Sequence, residues 1–143
     1  MTNRVNGDSP LLPTLLEGAL RELRVGLHEL SDSRFPGLRT RHYRLLGFIP
    51  NEGIRPARMV ELSGLTKQAL AQALDPLEDG GYVEVVPDPG DRRARVVRLS
   101  DRGREVIAAL REMQAGYERT WGDRVGVARW ASARQVLVEL FWS

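Results

Sequence analysis

The chain has 143 residues, a length that fits one compact domain, with or without helical arms. Hydrophobic residues make up 42% and charged residues 28%, which is typical of a globular protein and argues against intrinsic disorder. No apolar run approaches the roughly 18 residues that a membrane span requires, and nothing resembles a secretory leader. We therefore expect a cytoplasmic protein with no membrane partner.

The residue counts also restrict the chemistry. The sequence has no cysteine, which excludes disulfides, thiolate metal sites and switching by cysteine oxidation. His28 and His42 are its only histidines, so a three-histidine zinc site cannot form. The sequence shows neither a phosphate-binding glycine loop nor a nucleophile-base arrangement. We expect no catalytic residues, no metal and no cofactor, and hence a protein that is not an enzyme.

The net charge is only +2, but the basic residues are unevenly distributed. The stretch from Asp91 to Glu105 contains one further acidic residue, Asp101. Its remaining charged residues are all arginines: Arg92, Arg93, Arg95, Arg98, Arg102 and Arg104. Such a concentration indicates one positive face, although a solvated charged surface is the alternative.

The first predicted elements are three helices that follow a flexible arm at residues 1–8. The first helix begins at Ser9 and Pro10 and ends at the break formed by residues 35–37. Its apolar face contains Leu12, Leu15, Leu16, Ala19, Leu23, Leu27 and Leu30. The second helix ends before Pro50 and carries Tyr43, Leu45, Leu46 and Phe48. The third begins at Pro56, ends at Ser63-Gly64, and directs inward Met59, Val60 and Leu62.

Thr66 is predicted to cap a fourth helix, which ends near Asp79. Pro76 lies inside this helix and predicts a kink, because it cannot donate to the carbonyl of Gln72. The inward face consists of Leu70, Ala73, Leu74 and Leu77. Together with the preceding helix and the glycine-containing turn, this element forms a helix-turn-helix pattern.

A β-hairpin and two helices complete the predicted order. The hairpin strands are residues 82–86 and 95–99, joined by the turn at residues 87–91. Ser100 caps the fifth helix, whose apolar stripe contains Val106, Ile107, Leu110, Met113, Tyr117 and Trp121. The last helix is predicted over residues 124–141.

Two surfaces of this arrangement are candidates for binding nucleic acid. On the outer face of the fourth helix, Gln68 and Gln72 are one turn apart, and a glutamine amide can pair with adenine in the major groove. The hairpin tip carries Arg92, Arg93 and Arg95, and arginine is attracted to the minor groove. A solvated helix face and a charged strand edge that prevents aggregation are the alternatives.

Three segments resemble the MarR family of bacterial regulators: residues 62–69, 77–83 and 91–103. The last is similar to the wing signature of that family, Asp-x-Arg followed by Leu-Ser-x-x-Gly. The resemblance implies a mainly α winged helix-turn-helix fold with a small β-hairpin wing. It implies a DNA-binding domain over residues 37–100 and a helical dimerisation region over residues 9–36 and 101–143.

The resemblance also implies a homodimer on double-stranded DNA and assigns site residues. The recognition surface would contain Thr66, Lys67, Gln68 and Gln72. In the wing, Arg93 would enter the minor groove, and Arg92 and Arg95 would contact phosphates or brace the wing. Asp91 would brace the wing by pairing with a nearby arginine.

Many members of this family bind a small molecule, often a phenolic acid, between the dimer region and the winged module, so the resemblance implies a small aromatic or phenolic effector. The corresponding candidates are Leu27, His28, His42, Tyr43 and Trp121, for each of which ordinary packing is the alternative. We expect a ligand-responsive repressor acting on a pseudo-palindromic site. The alternatives are a winged-helix module that binds protein, and a small-molecule-binding protein with no role on DNA.

Overall fold

A computed structural model describes residues 9–142; the arm predicted at residues 1–8 and the final residue lie outside this range. Within it the fold consists of six helices and one two-stranded antiparallel sheet, which confirms the predicted winged helix-turn-helix fold. The elements are α1 (Leu12–Ser33), α2 (Thr40–Leu46), α3 (Pro56–Ser63), α4 (Lys67–Asp79), β1 (Val83–Asp88), β2 (Asp91–Leu99), α5 (Asp101–Val125) and α6 (Val127–Phe141).

The chain divides into two compact units. The first contains residues 9–26 and 111–142, and the second contains residues 27–110. The hydrophobic core lies in the second unit, where the most fully buried side chains are Leu45, Leu46, Met59, Leu70, Leu77, Val97 and Val106. The helix-turn-helix and the hairpin are therefore built on one common core.

Helices α3 and α4 form as their end signals predict. Pro56 occupies the first turn of α3, and Gly64 ends that helix with a φ of 72°, a left-handed conformation that glycine adopts without steric cost. The Thr66 hydroxyl accepts a hydrogen bond from the Ala69 amide at 3.1 Å and so caps α4. The predicted inward face of α4 is buried, and the helix continues past Pro76 to Asp79.

The inward assignment of Leu62 is wrong, since this side chain is exposed, whereas Ser63 is buried. Ser63 lies one turn after the buried Met59 and therefore on the same helix face. Its hydroxyl accepts the Leu65 amide, and its carbonyl accepts a bond from Arg44, so the buried polar group is satisfied.

The hairpin strands are longer than predicted. Strand β1 extends to Asp88 and β2 begins at Asp91, so the turn contains only residues 89 and 90. The regular register runs from the pair Val83–Leu99 to the pair Pro87–Arg95. Ile54 adds an isolated antiparallel bridge to Val97, which joins the base of the wing to the segment before α3.

Two predicted helix ends in the first half of the chain are corrected. Helix α1 begins at Leu12 rather than at Ser9. If the helix started at Ser9, the amide of residue 13 would have to donate to the carbonyl of Ser9, and Pro13 has no amide hydrogen. Helix α2 ends at Leu46, and Phe48 lies in the turn that follows Gly47.

The boundary between α5 and α6 also differs from the prediction. Helix α5 includes residues 124 and 125, which the sequence predicts for the last helix, and α6 begins at Val127. Gly126 separates the two helices with a φ of 102°, which lies outside the right-handed helical region. At the other end of α5, the Ser100 hydroxyl accepts the Gly103 amide at 3.1 Å, as expected for a cap.

Candidate nucleic-acid interface

The outer face of α4 is polar and exposed. Lys67, Gln68 and Gln72 are all exposed, and none of them makes a side-chain hydrogen bond or ion pair with another described residue. Thr66 is also exposed, but its hydroxyl is already engaged as the helix cap. The three longer side chains are therefore available to a ligand, whereas Thr66 fixes the start of the helix.

The orientation of this face is fixed by the opposite one. Leu70, Ala73, Leu74 and Leu77 are buried in the core and recur at helical spacing. Because they prevent rotation of α4 about its axis, Gln68 and Gln72 must point away from the core. The geometry is that of a helix that can present its side chains to a groove.

The distal part of β2 departs from regular pairing. Asp88 pairs with Asp91, whereas the preceding residue, Pro87, pairs with Arg95. Residues 92–94 consequently have no partner in β1. Arg92 and Arg93 are exposed in this irregular segment, and Arg95 is exposed directly after it.

The arginine-rich stretch separates into two groups according to its contacts. Arg98 approaches Glu84 at 3.4 Å, and Arg104 approaches Asp101 at 3.0 Å. Arg102 lies over the ring of Tyr82 at 4.4 Å and donates to the carbonyl of Gly80 at 2.7 Å. By contrast, the side chains of Arg92, Arg93 and Arg95 have no hydrogen-bond or ion-pair partner among residues 9–142.

The ion pair at the wing tip involves a different aspartate from the predicted one. Asp91 accepts the backbone amide of Arg93 at 3.1 Å and has no arginine side chain as a partner among residues 9–142. Asp88 instead accepts two bonds from Arg55, at 2.9 Å from Nε and 2.7 Å from Nη2. The Gly90 amide and then Arg55 lower the pKa of Asp88 from its ordinary value, so this carboxylate is ionised at neutral pH.

Sequence reasoning missed both members of this pair. Arg55 directly precedes the proline that opens α3, and Asp88 lies in the segment that was predicted to be a turn. The pairing itself joins residues 33 positions apart, and no local pattern encodes it.

Two of the predicted effector-contacting residues have internal partners. His42 is buried, and its Nδ1 accepts the Arg39 amide at 2.9 Å. Burial, followed by repulsion from Arg41 and Arg39, lowers the pKa of His42. The hydroxyl of buried Tyr43 shares a 2.7 Å hydrogen bond with the hydroxyl of Ser31, and burial raises the pKa of Tyr43.

The other three candidates lie in different surroundings. Leu27 packs against the core of the second unit. His28 lines an open cavity of about 590 Å³ in that unit, together with Ser31, Asp32, Pro36, Gly37, Leu38 and Arg39. Trp121 belongs to the first unit, where its indole donates to Glu22 and its ring lies 5.2 Å from that of Trp130.

No three His, Asp or Glu side chains within residues 9–142 are grouped as metal ligands. None of the helices in the same range is long and apolar enough to cross a membrane.

In a comparison with protein families, residues 37–94 match the model of the MarR family. The transcriptional regulator PetP of Rhodobacter capsulatus is 33% identical over 97 residues, which cover 67% of this chain and 58% of that protein. The exopolysaccharide II synthesis transcriptional activator ExpG of Rhizobium meliloti is 30% identical over 107 residues, which cover 64% and 54% respectively. The chain thus spans little more than half the length of these relatives.

Solved structures resemble the whole fold at lower identity. Reduced MarR from E. coli is 18% identical with a TM-score of 0.73, and the match covers 94% of this chain and 99% of that one. Streptococcus pneumoniae FabT in complex with DNA is 20% identical with a TM-score of 0.71 and coverages of 91% and 90%. Rhodococcus jostii CouR bound to p-coumaroyl-CoA is 20% identical with a TM-score of 0.70 and coverages of 99% and 98%.

Proposed function

Because this chain belongs to the MarR family through residues 37–94, we propose that it is a transcriptional regulator that binds double-stranded DNA. In this proposal α4 enters the major groove, where Lys67, Gln68 and Gln72 face the bases and phosphates. Thr66 caps that helix at the DNA surface. The wing follows the minor groove, with Arg93 inside it and Arg92 and Arg95 beside it.

One observation carries this proposal. Within the second unit, a polar helix face is held away from the core, and the wing of the same unit presents three arginine side chains without internal partners. Arg98 and Arg104 of the same arginine-rich stretch differ from these three, because each pairs with a carboxylate. The amides on the helix face can hydrogen-bond to base edges, and the three arginine side chains of the wing can bind phosphates.

Binding to duplex DNA over a series of salt concentrations tests the proposal. The logarithm of the association constant should fall linearly with the logarithm of salt concentration, because bound phosphates release counterions. Replacing Arg92, Arg93 and Arg95 by glutamine should flatten that slope. Replacing Arg129 of α6, which lies in the other unit, should not. A module that binds only protein, or only a small molecule, would show no salt-dependent affinity for duplexes.

We propose that the active form is a homodimer built through α1, α5 and α6. The first unit exposes large apolar side chains on α1 and around α6, and no described residue of α6 is buried. These side chains are Leu11, Leu12, Leu15, Leu16, Leu20, Val25, Val125, Val127, Val136, Leu137, Leu140, Phe141 and Trp142. An apolar surface of this extent favours association with a second copy.

Sedimentation at micromolar concentration tests the homodimer. The wild-type protein should sediment at twice the monomer mass of 16.1 kDa. Replacing Leu137 and Leu140 by glutamate should shift it toward the monomer, since the charges would be buried in the interface. A wild-type monomer would refute this part of the proposal.

The domain division follows from the same reasoning. We assign DNA binding to residues 37–100 and dimerisation to residues 9–36 and 101–143, and we place the protein in the cytoplasm with the DNA. The compact second unit, residues 27–110, contains the whole proposed DNA-binding segment.

We further propose that the protein is a repressor and that binding of a small aromatic acid releases it from DNA. CouR, which shares the fold, was solved with an aromatic thioester bound, whereas the relative ExpG is described as an activator. Titrating aromatic acids and their thioesters against the DNA complex tests the ligand. A reporter gene placed downstream of the bound site tests the direction of regulation.

A further inference from the structure

The distal part of the wing is not held by its strand ladder. Between the pairs Pro87–Arg95 and Asp88–Asp91, β1 advances by one residue while β2 advances by four. Residues 92–94, which include two of the proposed DNA-binding arginines, thus lack cross-strand backbone partners. Other contacts must determine where these side chains point.

Within the tip, the Arg93 amide donates to the Asp91 carboxylate, and the Asp88 carboxylate ties the turn to the rest of the unit. One Asp88 oxygen accepts the Gly90 amide at 2.9 Å and closes the two-residue turn. The other accepts both Nε and Nη2 of Arg55. Both bonds are charge-assisted, which makes them stronger than bonds between neutral groups.

Arg55 is itself held on the helix-turn-helix side. It precedes Pro56 at the start of α3, and its neighbour Ile54 exchanges two backbone hydrogen bonds with Val97, at 2.9 and 2.8 Å. The ion pair therefore connects the wing tip to the helix that immediately precedes α4. Its side chains are 53% and 18% exposed, so it contributes little to global stability.

We propose that Arg55 and Asp88 are positioning residues that hold the wing tip in the orientation in which Arg92 and Arg93 contact DNA. This inference rests on the proposed DNA-binding function. It identifies an aspartate, a residue that repels phosphate, as one that strengthens binding. If Asp88 acts only through its charge, removing that charge should strengthen DNA binding. If Asp88 positions the wing tip, removing it should weaken DNA binding.

The variant Asp88→Asn separates the two accounts. Asparagine retains an oxygen for the Gly90 amide but loses the charge that pairs with Arg55. If Asp88 acts only through its charge, the variant should bind DNA more tightly, since one repulsive group is gone. If Asp88 positions the tip, binding should weaken roughly fivefold, because the wing must then be ordered on association. The matched control is Glu84→Gln on the same strand, which removes the same charge near the base of the wing and should bind as tightly as the wild type or more tightly.

A double-mutant cycle adds a second criterion. Positioning through the pair predicts that Arg55→Gln, Asp88→Asn and their combination weaken binding to a similar extent, because the first substitution already breaks the contact. Charge alone predicts that the double variant returns to wild-type affinity. The probe for all variants is a duplex that the wild-type protein selects from a random-sequence pool.

A measurement on the free protein keeps this inference separate from the proposed function. Backbone order parameters of residues 90–95 should be near those of a rigid chain, roughly 0.85, in the wild type and in Glu84→Gln. In Asp88→Asn and Arg55→Gln they should fall. If the wild type selects no duplex, the proposed function fails, and the order parameters still decide whether the pair orders the tip. Unchanged order parameters, or tighter DNA binding by Asp88→Asn, would overturn the inference.

Discussion

Gln68 and Arg93 differ in what each can recognise. Gln68 is exposed on α4 and carries an amide with both a donor and an acceptor, which can distinguish adenine in the major groove. Arg93 is exposed in the irregular segment of the wing and carries only donors and a charge, and the minor groove presents a degenerate pattern. The two residues should therefore contribute to different properties of the complex.

Substitution by alanine separates these contributions. Gln68→Ala should cost about 1–3 kcal/mol on the selected site and relax preference at one base pair, with little change in salt slope. Arg93→Ala should weaken binding to selected and scrambled duplexes alike and flatten the slope by about one unit. Affinities over a salt series on both duplexes provide the measurement. Equal weakening of both duplexes by Gln68→Ala, with no effect of Arg93→Ala, would show that helix and wing are misplaced on the DNA.

His42 makes stability depend on pH. Its Nδ1 accepts the Arg39 amide, and its Nε2 is buried without a hydrogen-bond partner among the residues that the structure describes, so the protonated ring is disfavoured in the fold. The pKa of His42 is accordingly lowered from 6.5 by burial, with Arg41 and Arg39 adding repulsion. Below pH 6.5 the unfolded chain binds a proton that the folded chain resists, so stability falls as the pH decreases toward the folded pKa.

Replacing this histidine by glutamine tests the linkage. Glutamine can still accept the Arg39 amide at this helix position but does not titrate. The free energy of unfolding of the wild type should decline below pH 6.5 by up to about 1.4 kcal/mol per pH unit relative to His42→Gln. The exposed His28, replaced in the same way, serves as the control and should retain the wild-type decline. Parallel pH profiles for the wild type and His42→Gln would contradict this account.

At the scale of elements, local signals predicted α4 most completely. The cap at Thr66, the four inward residues and the end near Asp79 were all found as expected, because each depends on neighbours within one or two turns. The hairpin strands were predicted too short. Their outer ends depend on Asp88, which closes the turn and pairs with Arg55 far away in sequence.

The boundary between α5 and α6 was wrong for a different reason. Gly126 was a visible signal, but residues 124 and 125 also fit the periodicity of the following helix. The exposure of Leu62 could not be predicted either, because Leu62 and the buried Ser63 follow Met59 by three and four residues, and both spacings fit one helix face. The proposed DNA-contacting residues could be predicted from the sequence, whereas the pair proposed to position the wing, Arg55 and Asp88, could not.

The glycine of the wing signature has a packing role at the start of α5. A Cβ added at Gly103 would overlap the carbonyl oxygen of Tyr82, a backbone atom that cannot move without displacing the strand. Gly103→Ala should therefore lower the free energy of unfolding by about 3 kcal/mol.

Gly116, in the same helix, provides the control. A Cβ added at Gly116 would lie 3.7 Å from its nearest neighbour, the end of the Arg119 side chain. Gly116→Ala should raise stability by about 0.5–1 kcal/mol, and denaturant unfolding of both variants measures the difference. Equal effects would contradict the proposed role.

At the scale of the whole molecule, the two compact units differ in what they bury. The second unit contains the hydrophobic core and the candidate DNA-binding surface, whereas the first exposes apolar side chains of α1 and α6. The proposed homodimer would use the first unit for pairing and would carry two copies of the second. Two-fold symmetry would make these two DNA-binding surfaces equivalent, and a near-palindromic duplex offers an equivalent half-site to each.

Selection of duplexes from a random-sequence pool, followed by footprinting of the enriched sequence, tests the central claim most directly. The account predicts a near-palindrome with two protected half-sites whose centres are about 34 Å apart, one helical turn, with two chains bound per duplex. A pool that shows no enrichment, or a single asymmetric half-site protected by one chain, would contradict it.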